Sequence, residues 1–156
     1  MKSILIVVGK TTDKHFIASI ADYCSRINHY MPFELLVIPE LKNTKSLSES
    51  QQKEREGELI FKSLQPADTV VLLDEHGEEW RSTAFASWLQ KKQQLTRRLV
   101  FVVGGPYGFS SAIYNRAQEK LSLSKMTFSH QMIRLIFTEQ LYRACTIIKG
   151  EPYHHE

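Results

Sequence analysis

Two cysteines, five prolines and seven glycines are all that this 156-residue chain carries, and the scarcities exclude whole classes of protein. Cys24 and Cys145 lie far apart and in no Cys-x-x-Cys pair. That argues against a disulfide scaffold and a thiolate zinc site, and fits two small buried hydrophobes in a reducing compartment. His15, His29, His76 and His130 are scattered without ligand spacing, so no metal is expected. Nothing approaches the roughly 18 consecutive apolar residues of a membrane span. The apolar start, Ser3 to Gly9, is too short for a signal peptide's apolar core and cleavage region. The reading is a cytoplasmic protein with no membrane association. Charge of one sign is scarce as well. Twenty Lys+Arg against 17 Asp+Glu leave a net +3, so one subunit is a weak binder of polyanions and a basic surface is better assembled from two copies.

What is present reads as one α/β domain over residues 1–156, long enough for a proper core. Apolar, β-prone runs recur at Ile4–Val8, Phe33–Ile38, Thr69–Leu73 and Leu99–Val103, with a short one at Lys120–Leu123. Uninterrupted apolar runs are how strands buried on both faces of a parallel sheet look in sequence. Helical stretches alternate with them. Asp13 is placed to cap a helix from Lys14 with Phe16, Ile17, Ile20, Tyr23 and Ile27 as its apolar stripe. Ser48 starts a second, Glu49–Leu64, mostly charged, with Leu59, Ile60, Phe61 and Leu64 at its burying end. Ser82 is assigned as the cap of a third, with Phe85, Trp88 and Leu89 inward. Lys42–Ser50 reads as loop.

The stretch Ser129–Ile148 is apolar most of the way round a helix. Such a helix must be covered on more than one side, either as a central core helix or between the sheet and a second subunit; both readings stand. Glu139 and Arg143, spaced i,i+4, support it as an ion pair.

Three short motifs invite chemistry. Gly9-Lys10-Thr11 follows a strand, but a phosphate-binding P-loop needs a glycine where this chain has Ile4, so Gly9 is read as ending the strand. Gly104-Gly105-Pro106-Tyr107-Gly108 ends the fourth apolar run, and Pro106 breaks the dinucleotide fingerprint. It is either a tight turn or a place where backbone approaches a ligand. Leu121-Ser122-Leu123-Ser124-Lys125-Met126-Thr127 alternates apolar and small polar residues before the long helix. Two such loops closing on one pocket offer backbone groups to an adenine, with Leu123 and Met126 as apolar walls. The tail Tyr153-His154-His155-Glu156 is either a frayed terminus or a source of proton-transfer groups.

Taken together these segments resemble the RlmH family, the pseudouridine N3-methyltransferases of large-subunit ribosomal RNA in the SPOUT superfamily. The resemblance runs through Val7-Val8-Gly9-Lys10, Met31-Pro32-Phe33-Glu34, Glu56-Gly57-Glu58, Leu73-Asp74 with Gly77, and Phe101 to Gly108. It is most specific at Leu121–Thr127, His130, Glu139-Gln140-Leu141-Tyr142-Arg143-Ala144 and Pro152-Tyr153-His154. It implies a SPOUT-type α/β-knot: a mostly parallel sheet flanked by helices, with a C-terminal deep trefoil knot, a topology that generic chain rules argue against. It implies an S-adenosylmethionine site lined by Leu73, Gly104, Leu123, Ser124, Lys125, Met126, Thr127 and Phe128, and a homodimer formed through the knot region. By the same resemblance the reaction is methyl transfer to N3 of a pseudouridine in helix 69 of 23S rRNA, on the assembled ribosome. His154 is then placed nearest the imide proton, Tyr153 places the base, and Arg143 neutralises a phosphate or orients the tail. Family members often carry Arg or Lys after the tail histidine; this chain has His155 and Glu156, which puts a basic RNA contact there in doubt. A methyltransferase of another RNA such as tRNA, and a non-catalytic dimer that binds nucleotide or ribosome, are the competing readings.

Overall fold

A computed structural model describes all residues from Met1 to Glu156. Strands β1 (Lys2–Val8), β2 (Phe33–Ile38), β3 (Thr69–Glu79), β4 (Arg98–Val103) and β5 (Glu119–Ser122) form one sheet in the order β2-β1-β4-β3-β5. Every pairing is parallel. Helices α1 (Lys14–Asn28), α3 (Ser82–Leu95) and α5 (His130–Ile148) cover one face; α2 (Glu49–Lys62) and α4 (Ser111–Arg116) cover the other.

The sheet has two cores because strand side chains alternate. Leu5 and Val7, Val71, and Leu99, Phe101 and Val103 point to the α1/α3/α5 side. Ile4 and Ile6, Val70 and Leu72, and Val100 and Val102 point to the α2/α4 side. α5 lies between α1 and α3 and buries Phe137, Leu141, Ala144 and Cys145 against the sheet, with the Phe137 ring 4.7 Å from that of Phe101. Its flanks at Ile133, Ile136, Tyr142, Ile147 and Ile148 are only partly covered. Trp80, Phe85 and Trp88 stack on one another beside Phe101. Burial pushes the Cys24 thiol up to about 11 and the Cys145 thiol to about 12, so both remain unreactive thiols.

Capping explains most helix starts. The Asp13 carboxylate accepts from the His15 and Phe16 amides, Ser48 and Gln51 form a reciprocal capping box, and Ser129 Oγ accepts from Met132 N–H. Ser82 is not a cap. Arg81 occupies that position without a side-chain bond, and Ser82 Oγ instead donates to Gln140 Oε1 at 2.9 Å, tying α3 to α5. Ile17 and Phe61, expected to be buried, are 47% and 46% exposed; on α2 the buried positions are Glu56, Gly57 and Ile60.

The sequence reading ended the third strand at Leu73. It continues, after an irregularity, to Glu79. Leu73 pairs with Leu121, four residues loop out, and Glu78 and Glu79 return to pair with Leu121 and Ser122. At Gly77 the crossing is so close that a Cβ would lie 2.6–2.8 Å from the backbone of Lys120 and Leu121. Only glycine fits there.

Candidate functional site

Ligands of open parallel sheets sit beyond the carboxyl ends of the strands. Here three connections converge at that edge: the looped-out part of β3, the turn after β4 and the segment between β5 and α5. After Val103 the backbone folds on itself, with Gly108 N–H donating to Gly105 C=O at 3.1 Å and Gly108 at φ +81°, a conformation that favours glycine. After β5 the serines shape the chain and the leucines pack it. Ser122 Oγ donates to Ser124 C=O, and Ser124 Oγ accepts from Met126 N–H, both at 2.9 Å.

Between these connections lies a cavity of about 580 Å³ whose lining includes Leu73, Gly104, Leu123, Ser124, Met126, Thr127 and Phe128. Seven of the eight residues assigned to a cofactor from the sequence therefore share one space. Lys125 does not: its side chain is 86% exposed and its Nζ lies 3.8 Å from Glu79. The sequence reading did not include Asp74, Tyr114, His130 and Ile133 in this lining. Half of the 20 lining residues are hydrophobic, and none is Lys or Arg. Asp74 and Tyr114 meet at its edge, Tyr114 Oη donating to Asp74 Oδ2 at 2.5 Å. Burial first, then that carboxylate, push the phenol up to about 12, so it stays protonated and donating.

The loop after β1 is held by a residue that periodicity treats as surface. Arg134 is 2% exposed. Its Nη1 donates to Gly9 C=O (2.8 Å) and Thr11 Oγ1 (3.0 Å), and its Nη2 to Val8 C=O (2.8 Å). Gln131 adds bonds to Thr12 N–H and Lys10 C=O. The loop after β1 is thus held by a cation on α5 and is no phosphate cradle. One turn earlier, His130 borders the cavity; burial, then the Arg134 charge, lower its pKa, opposed by a bond to the Gly104 backbone.

The tail is ordered against α5. Arg143 Nη1 lies 3.1 Å from His154 Nδ1, Arg143 Nη2 donates to Glu139 Oε1, and Tyr153 Oη donates to the same oxygen at 3.1 Å. The Arg143 guanidinium also stacks over the Tyr153 ring. Burial, Tyr23 and Glu139 all raise the Tyr153 pKa, so it is a donor and not a base. Glu156 turns to α3, accepting from Thr83 Oγ1 at 3.3 Å with Arg81 3.7 Å away. Arg143 follows the cavity-lining Ile133 by ten residues of helix, a rise of about 15 Å. Arg143 thus sits well along α5 from the end of that helix that lines the cavity.

Comparison with known proteins agrees with this architecture. The sequence model of one family, described as "Predicted SPOUT methyltransferase", matches residues 1–154. Proteins named ribosomal RNA large subunit methyltransferase H from Bacteroides fragilis and Phocaeicola vulgatus are each 64% identical to this chain over 157 aligned positions, covering 100% of both sequences. The one from Flavobacterium johnsoniae is 56% identical over 97% of this chain and 98% of its own length. With the cavity at the sheet's carboxyl edge and this likeness along the full chain, the protein belongs to the SPOUT methyltransferases and, among them, to the RlmH family.

Proposed function

We propose that this protein is an S-adenosylmethionine-dependent methyltransferase of large-subunit ribosomal RNA, acting as a homodimer on N3 of a pseudouridine in helix 69 of the assembled ribosome. The observation that carries this reading is the meeting of the Gly104–Gly108 turn with the Leu123–Phe128 segment around one cavity, in a chain 64% identical to proteins named ribosomal RNA large subunit methyltransferase H.

The residues fit the donor. A cavity of this size suits a nucleoside-sized ligand. Leu123, Met126, Phe128 and Ile133 provide apolar surface for an adenine, and a lining with Asp74 and Glu75 but no Lys or Arg tolerates a cation. The bound donor supplies an activated methyl group on a sulfonium. Residues 78–79 pair with the end of β5 after four residues have looped out beside the segment that leads to α5, which supports reading the C-terminal segment as threaded into the family's trefoil knot.

The tail sets the chemistry of the acceptor. Arg143 can only donate, so His154 Nδ1 accepts, and the neutral ring carries its proton on Nε2. That nitrogen is buried without a hydrogen-bond partner, with Glu156 Oε1 3.7 Å away, too far to take its proton. His154 is therefore prepared to donate to a carbonyl of the target base and stabilise the negative charge left when N3 loses its proton. Arg143 lies about 15 Å along α5 from the cavity-lining Ile133, which supports a reading in which the tail serves the cavity of the second subunit. The exposed apolar rim at Met126 (78%), Tyr107 (43%) and Phe128 (39%) supports such a cover.

Incubation of ribosomes lacking the modification with the protein and labelled S-adenosylmethionine, followed by nucleoside mass spectrometry, tests the reading. Label on N3 of a pseudouridine in helix 69 is expected, with poor labelling of naked RNA. Label elsewhere, or none, overturns it.

A further inference from the structure

The mechanism leaves one buried ionisable group unused. Glu56, on α2, is 4% exposed, yet no cation pairs with it. Its Oε1 has no hydrogen-bond partner, and its Oε2 receives only a long bond of 3.4 Å from Gln52. The carboxyl fills the space where Gly105 lacks a side chain: a Cβ there would lie 2.3 Å from Oε1 and 2.8 Å from Oε2. Gly105 lines the cavity and Glu56 does not, so one residue of backbone separates the carboxyl from the ligand space.

The surroundings offer no other reason for an acid at this position. Gln52 faces it from its own helix, Ser110 packs against the neighbouring Gly57, and Glu40, after β2, is the one charged group whose field it feels. Glu40 in turn packs at Gly9 and faces Arg134. Burial first, then the Glu40 charge, raise the Glu56 pKa against the Gln52 bond. A structural prop would be met at lower cost by glutamine or methionine, since an unpaired buried carboxyl loses hydration without compensation. The missing partner is a positive charge, and the ligand proposed for the other side of Gly105 carries one on its sulfur.

We propose that Glu56 is a positioning residue for the methyl donor: its carboxyl, buried and unpaired behind the glycine turn, is the counter-charge to the bound sulfonium, so that at mildly acidic pH donor binding draws a proton off it and the site prefers the charged donor to its neutral product. The inference rests on the S-adenosylmethionine reading of the cavity. S-adenosylhomocysteine is the matching probe, because it keeps the adenosine and amino-acid parts and lacks only the methyl group and its charge.

Calorimetric titration of the intact protein with each ligand, at mildly acidic pH in buffers of different ionisation enthalpy, measures affinity and protons released. His76 and His130 also border the cavity; replacing Glu56 leaves both in place, so the difference between wild type and variant isolates the Glu56 carboxyl. The wild type is expected to release more protons with S-adenosylmethionine than with S-adenosylhomocysteine. Glu56→Gln is expected to lose that excess and about tenfold of the preference for the charged ligand. A purely structural Glu56 would leave both quantities unchanged in Glu56→Gln, and that result overturns the proposal. Carbon-13 NMR of the Glu56 carboxyl in the wild type gives the same answer without a variant: ionisation on adding the sulfonium compound but not the thioether supports it, and no difference overturns it. If the wild type binds neither ligand, the cofactor reading itself falls and this inference with it. Equal binding of both with equal proton release removes the inference alone.

Discussion

Arg143 holds His154 by its Nδ1, at 3.1 Å, and so decides what the other ring nitrogen can do. Replacing His154 with alanine is expected to lower methylation by roughly 10²- to 10³-fold, the scale of losing one donor to a developing anion, with donor affinity unchanged in calorimetry. Arg143→Ala should lower it as well, since the ring then loses its orientation. Wild-type turnover by His154→Ala would remove the tail from the mechanism.

In the proposed homodimer, with the tail of one subunit at the cavity of the other, complementation between subunits is expected. Ser124→Trp fills the cavity, and His154→Ala removes the tail donor; each homodimer should be inactive. Unfolding and refolding an equal mixture should restore about a quarter of wild-type activity, because half the dimers are mixed and each then holds one intact site. No recovery would assign tail and cavity of one chain to the same site.

Gly77→Ala forces a Cβ into the backbone of Lys120 and Leu121. Neither can swing aside as a side chain end would, so a loss of about 1–3 kcal/mol is expected, read as a lower denaturant midpoint. Donor affinity should fall with it, since the same crossing frames the cavity.

Arg134→Met keeps the volume of the side chain and removes its three donated bonds to Val8, Gly9 and Thr11. Two buried strand-end carbonyls are left without that donor, which should cost roughly 3 kcal/mol or more in urea unfolding.

The pH dependence has a definite sign at His130. Its folded pKa lies below the unfolded value because burial and Arg134 disfavour the imidazolium. The unfolded chain therefore binds more protons in that interval. The contribution is fully present above about pH 6.5 and is lost as pH falls through the folded pKa. In His130→Asn the fall in thermal stability on mild acidification should be shallower.

Much of this arrangement was legible because the strand runs are apolar and β-prone with few polar interruptions, Glu34 on the edge strand β2 being one. Ile4–Val8, Phe33–Ile38, Thr69–Leu73 and Leu99–Val103 all lie within the observed strands. The extension of β3 through Glu79 was hidden, since Asp74 to Glu79 is polar and pairs through backbone alone. Six-residue α4 is too short to show a period. Ser82 looked like a cap by residue type, but its hydroxyl found a tertiary partner in Gln140. Arg134 and Glu56 escaped periodicity for one reason: polar residues at helical positions count as solvent-facing, and only tertiary structure reveals one clasping strand ends and the other lying unpaired behind a glycine. The tail histidine was visible as a residue; its protonation was not, because that depends on which nitrogen Arg143 reaches.

Trp80 and Trp88 are the chain's two tryptophans, and they stack together where the extended β3 hands over to α3. Intrinsic emission from this protein is accordingly a local clock. It reports when that one crossover settles onto Phe101, while circular dichroism follows the helices as a whole. A lag between the two signals during refolding would time the packing of that corner relative to the helices, with no extrinsic dye attached.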